Sequence, residues 1–124
     1  MTYRIAVSST DGKVVNQHFG KTEWFYIVEA DPDEPEQMKC IEMRRVEAFC
    51  EGGNHDEQRL EQAVKCIDDC QYVLVSRIGN PAAQAIEAKG LRVFEIPGII
   101  QESVQEMFHY IELQNMIQGF IANR

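Results

Sequence analysis

The chain is short of positive charge. Twelve lysines and arginines stand against twenty aspartates and glutamates, a formal net charge of −8. Nucleic acids and anionic membranes are gripped by basic patches, so this balance argues against both as partners. Long apolar runs are missing too, since none approaches the roughly 18–20 residues that span a bilayer. The opening MTYRIAVSS has only a short apolar core and no cleavage pattern, so it does not read as a secretory signal. These absences lead us to expect a cytoplasmic protein, where thiols stay reduced. Cys40, Cys50, Cys66 and Cys70 are then free thiols or ligands rather than disulfides. No C-x-x-C pair spells a thioredoxin-like or zinc-ribbon site. Repeats, low-complexity tracts and linkers are also lacking. With 124 residues, 44% of them hydrophobic, one core is affordable and a single domain over 1–124 is expected.

What is present reads in two rhythms. RIAVSS (4–9) and WFYIVEA (24–30) are short, apolar and bounded by turn signals, Thr10-Asp11-Gly12 after the first and DPDEPEQ after the second. MKCIEMRRVE (38–47) alternates roughly and predicts a strand with one exposed face. With no helix between them, these three predict an antiparallel meander. From there helices intervene. DEQRLEQAVKCIDD (56–69) carries Leu60, Ala63, Val64 and Ile67 as one apolar stripe, with Asn54 and Glu57 resembling a capping box. QYVLVSRI (71–78) is the near-continuous apolar run of a buried parallel strand. Asn80-Pro81 predicts a helix start with Asn80 as N-cap, and Gly90 its C′ glycine. LRVFEI (91–96) is a last strand, and a helix from about 101 carries Val104, Met107, Phe108 and Ile111 on one face. In the tail 115–124, Met116, Ile117, Phe120 and Ile121 keep helical spacing, either finishing the core or forming a docking surface.

The order β-β-β-α-β-α-β-α predicts an α/β mixed five-stranded sheet with helices on its faces, an order shared with the ribonuclease H-like fold. Nucleases of that fold need carboxylates converging on two metal ions. IAVSS and YVLVSRI carry none, so the chemistry is missing even where the fold agrees. The loop SSTDGK lacks phosphate-binding glycine spacing, and Ser8, Ser9 and Ser76 lack a His/Asp partner pattern. No catalytic residue is nominated, and the expectation is a protein that is not an enzyme.

Thiolate and imidazole suit iron–sulfur and late transition metals. In FCEGGNHDE (49–57), Cys50 and His55 flank a Gly-Gly pair that lets the chain fold back, just ahead of a helix whose N-terminus favours anions. The stretch is either a metal site or a loop that caps the helix. Cys66 and Cys70, spaced i, i+4 on one expected helix, read as buried small hydrophobes, and His109 as a solvated helix residue. In VVNQHFG (14–20), His18 is either an ordinary loop histidine or one imidazole of an open coordination site near loop 50–55, with Gly20 permitting the turn back.

IAVSSTDGKVVNQHFGKTEWFYIVE, CEGGNHDEQRLE, DCQYVLVSRIGNPA and GLRVFEIPG together resemble the dinitrogenase iron–molybdenum cofactor biosynthesis family, over roughly residues 3–110. That family includes NifX, the NafY core and the carboxy-terminal domain of NifB. The resemblance implies a ribonuclease H-like fold without nuclease activity. It also implies binding or carriage of an iron–sulfur precursor or the iron–molybdenum cofactor toward acceptors such as apo-dinitrogenase. The histidine of the HFG motif, associated with cofactor binding there, is His18. The C-x-G-G-x-H-D-E pattern falls on Cys50, Gly52, Gly53, His55, Asp56 and Glu57. Candidate metal ligands are therefore His18, Cys50 and His55, and Arg77, with Lys13, Lys21 and Arg45, is a candidate for screening cluster charge. The alternative reading is a metal-free interaction module docking through the tail; a third is a zinc- or redox-responsive domain using Cys50 and His55.

Overall fold

Continuous burial from Ile5 to Ser8 along β1 (Tyr3–Ser8) sets the architecture, because this strand is covered on both faces. The computed structural model describes all residues except 48, 49, 52, 53, 56, 123 and 124, and the side chains of 50, 51, 54 and 55 also lie outside the description. In chain order follow β2 (Val14–Val15), a 3-10 turn at Phe19–Lys21, β3 (Trp24–Ala30), a second 3-10 turn at Pro35–Gln37, β4 (Lys39–Arg45), β5 (Cys50–Glu51) and β6 (Asn54–His55). Then come α1 (Glu57–Cys66), β7 (Tyr72–Val75), α2 (Asn80–Ala88), β8 (Arg92–Glu95), β9 (Gly98–Ile99) and α3 (Ile100–Ala122).

The main sheet is mixed and five-stranded, in the order β4-β3-β1-β7-β8. β1–β3 and β3–β4 are antiparallel, as the meander predicted, while β1–β7 and β7–β8 are parallel, each reached through a helical crossover. Period-two alternation splits the apolar residues. Ala6, Phe25, Ile27, Val73 and Val75 pack under Ala63, Val64 and Ile67 of α1 and its end and Ala82 and Ile86 of α2. Ile5, Val7, Val28, Leu74 and Phe94 pack under Ile100, Val104, Met107 and Phe108 of α3 on the other face.

Several local expectations change. α1 stops at Cys66, and turns follow it, so Cys70 sits beyond the helix, although it is buried as expected. Asn54 lies in β6 and not at the helix start; the position before Glu57 is outside the described residues. Gly79, extended at φ −79° and ψ 158°, is the N-cap of α2; its carbonyl accepts from Ala83 N at 3.0 Å, and Asn80 is already helical. Pro81 still falls in the first turn, where its missing N–H costs nothing. Gly90 closes α2 at φ +88°, donating its N–H to the Glu87 carbonyl at 2.9 Å. β4 is an edge strand, and a register shift at Ile27/Val28 leaves Ile41 as the extra residue. Beyond the helices' cover, Ile41 and Met43 stay exposed. Two small pairings were not foreseen: β2 with β9, and β5 with β6.

Candidate functional site

The segment VVNQHFG does not float between strands. Val14–Val15 is tied to Gly98–Ile99, after which the chain runs alongside the end of β7. Ser76 N donates to the Gln17 carbonyl at 3.0 Å, and Phe19 N donates to the Arg77 carbonyl at 2.9 Å. His18 and Arg77 are thereby bridged in parallel, far apart in sequence and neighbours in space. Phe19 is fully buried against Phe25, ring centroids 5.7 Å apart, which pins the turn to the core. The His18 carbonyl accepts from Lys21 N at 3.0 Å and from the Thr22 hydroxyl at 2.9 Å. Thr22 is buried and also hydrogen-bonded to Ser8 Oγ at 2.9 Å, so His18 is held by its backbone while its side chain stays exposed. Gly20 sits in the 3-10 turn without a positive φ, so the turn does not rest on glycine's conformational freedom.

His18 lines an open cleft of about 860 Å³ with Lys21, Arg77 and Gly79. α2 begins on this wall through Pro81 and Ala82, and α1 contributes Glu57, Leu60 and Glu61. No side chain caps the N-terminus of α2, which leaves first-turn amides and the positive end of the helix dipole at the cleft. Glu57, Glu61 and Glu95 bring negative charge to the same rim, so the cleft is mixed rather than uniformly basic.

The structure sorts the nominated residues by place. His18 and Arg77 share the cleft, and Lys21 joins them. Lys13 and Arg45 are not among the lining residues; Arg45 instead lies over the Trp24 ring, 5.8 Å from its centroid. Cys50 and His55 are paired directly across the β5–β6 hairpin, and β5 lies against the Phe19–Lys21 turn. Their side chains lie outside the described residues, as do Gly52, Gly53 and Asp56. Among the described residues no three His, Cys, Asp or Glu side chains converge on a metal-binding point. His109 is exposed on α3, as expected.

Cys66 and Cys70 belong to a separate, structural cluster. The Arg44 guanidinium donates to both Asp69 oxygens (2.6 and 2.9 Å) and to the Cys66 carbonyl (2.8 Å), and Arg4 reaches Asp69 at 2.9 Å. Arg44 holds the Asp69 carboxyl well below the usual carboxylate range. Burial, reinforced by the Asp69 charge, pushes the Cys70 thiol up to about 12, and burial also raises Cys66. Neither thiol is poised as a thiolate ligand. Sequence reasoning missed Thr22, whose anchoring role depends on Ser8 arriving from β1, and the acidic rim, whose members come from α1 and β8.

The cleft thus lies where the chain leaving β7 meets the N-terminus of α2, at one end of a mixed α/β sheet. The profile of the family described as dinitrogenase iron-molybdenum cofactor matches residues 1–110, and the chain belongs to that family. It is similar to the FeMo cofactor biosynthesis protein NifB of Frankia alni, at 33% identity over 106 residues. That alignment covers 83% of this chain and 20% of the relative. NifB of Chlorobaculum tepidum is 30% identical over 115 residues, covering 93% and 26%. The chain thus spans about a fifth to a quarter of the length of these relatives. The crystal structure of PH0822 superimposes with a TM-score of 0.62 at 25% identity, covering 86% of this chain and 88% of that one. No helix among the described residues is long and apolar enough to cross a membrane.

Proposed function

We propose that this protein is a non-catalytic carrier for an anionic iron–sulfur precursor or the iron–molybdenum cofactor, taken as cargo into the His18–Arg77 cleft. The observation that carries the reading is the pairing of His18 with Arg77 at the uncapped N-terminus of α2. An exposed imidazole offers one exchangeable soft-metal ligand. Arg77, Lys21 and the helix amides offer charge-assisted donors to a polyanion. The acidic rim opposes them and keeps binding short of irreversible, as delivery to an acceptor such as apo-dinitrogenase requires. Family membership and the NifB relatives support the cargo's identity. We read the topology as ribonuclease H-like, since the five main strands lie in the spatial order third-second-first-fourth-fifth with helices on both faces.

Anaerobic titration with isolated cluster, followed by its charge-transfer absorbance, tests the proposal. Loss of one ligand or one charge-assisted contact costs on the order of tenfold or more in affinity, so His18→Ala and Arg77→Ala should each weaken binding by that much while keeping the parent's circular dichroism. A parent chain that binds no cluster sinks the carrier reading. Unchanged affinity in His18→Ala removes His18 from the ligand set.

A further inference from the structure

α3 carries two apolar faces, and only one of them is used. Ile100, Val104, Met107 and Phe108 are buried against the sheet and Ile111 is half-buried on the same side. Beyond them Leu113, Met116, Ile117, Phe120 and Ile121 are 43, 64, 59, 71 and 61% exposed. At about 100° per residue the mean directions of these two sets differ by roughly half a turn. The second stripe therefore faces away from the molecule's own core, which rules out its being a continuation of that core. It also lies beyond residue 110, where the family match ends.

We propose that this stripe pairs two copies of the chain, tail against tail and antiparallel. Three observations choose that occupant. Tyr110, Leu113, Ile117 and Phe120 follow a 3-4-3 spacing, the seam of helix paired with helix, and Met116 and Ile121 flank it. Residues 113–122 contain no charged side chain in a chain of net charge −8. A membrane surface would call for lysines and arginines along the helix, and residues 100–122 carry none. A charge-free stretch lets two acidic copies meet with less repulsion, and antiparallel pairing keeps the two acidic bodies at opposite ends of the joined tails. Six side chains, Tyr110 included, each leave on the order of 100 Å² in water, or roughly 600 Å² per copy, which reaches the lower bound for a specific pair. The pair is therefore reversible and concentration-dependent. Leu113 of each copy lies against Ile117 of the other.

Sedimentation equilibrium of the full chain tests this. The parent should approach twice the 14.2 kDa chain mass at about 100 µM and dissociate on dilution. Ile117→Glu and Leu113→Lys should each be monomeric with the parent's circular dichroism, because both positions are already exposed. Leu113→Lys with Ile117→Glu should regain the dimer, since antiparallel pairing sets each lysine against a glutamate. A monomeric parent, or an Ile117→Glu chain as dimeric as the parent, overturns the proposal. A double variant no more dimeric than the single ones overturns the antiparallel arrangement.

Discussion

Phe19 joins the fold to the cleft, and truncating it should damage both in a defined order. Its ring is 1% exposed and packs on Phe25 under α1 and α2. Its amide holds the Arg77 carbonyl. A buried phenylalanine covers about 150–250 Å², and cutting it to alanine costs about 3–5 kcal/mol where neighbours cannot collapse into the gap. The gap here is walled by strand and helix residues that are themselves fully buried, so the upper half of that range applies. A domain of this size holds roughly 5–15 kcal/mol in total, so Phe19→Ala remains folded with a much smaller margin. Urea unfolding followed by circular dichroism measures the loss. Amide exchange then locates it: Phe19, Lys21 and Thr22, whose N–H groups bond to Arg77, His18 and Phe19 carbonyls, should lose protection before the β1 amides. A loss under about 1 kcal/mol refutes the anchoring argument. So does a large loss in which those three amides keep their protection relative to β1.

Two further outcomes follow from the Arg44 cluster. Asp69→Asn should destabilise the protein by about 1–2 kcal/mol at neutral pH, a figure reduced for the solvent exposure of Asp69. Because the folded-state pKa is depressed, the parent's advantage is full above the ordinary carboxylate value near 4 and fades as pH falls below it. Unfolding curves for parent and variant should converge at acid pH, and a gap that instead widens there would contradict the assignment. At about pH 8, iodoacetamide should label exposed Cys40 and leave Cys70 untouched until the chain unfolds, as peptide mass analysis would report. Equal labelling rates for the two would show that Cys70 is not held in the core.

Much of the fold was legible because its cues are local. β3 runs over Trp24–Ala30 as its apolar run suggested, and Gly90 takes the left-handed conformation that a helix-ending glycine provides. What escaped was made by distant pairing. Two-residue strands carry no periodicity, so nothing in Val14–Val15 announces Gly98–Ile99 as its partner. The N-cap fell on Gly79, whose carbonyl takes the first intrahelical bond from Ala83 while no side chain caps the end, so no side-chain signal marks it. The site divides the same way. His18 and Arg77 could each be nominated from their segments, yet their adjacency exists only once β7 and the incoming chain lie side by side.

The same distinction explains why a single helical period in the tail was ambiguous. Spacing fixes that Met116, Ile117, Phe120 and Ile121 share a face, but not where that face points. Direction is set by phase relative to the residues already seated on the sheet, and Val104, Met107 and Phe108 seat α3 so that the tail stripe turns outward. A helix with one apolar stripe along its whole length would have extended the core. A stripe that changes phase at about residue 112 uses its first half for folding and leaves its second half for association. Exchanging Leu113 with Gln114 and Ile117 with Gln118 would turn the two central side chains of the seam back into phase with the core without altering composition. That rearranged chain should therefore lose self-association while its cleft keeps the parent's affinity for cluster.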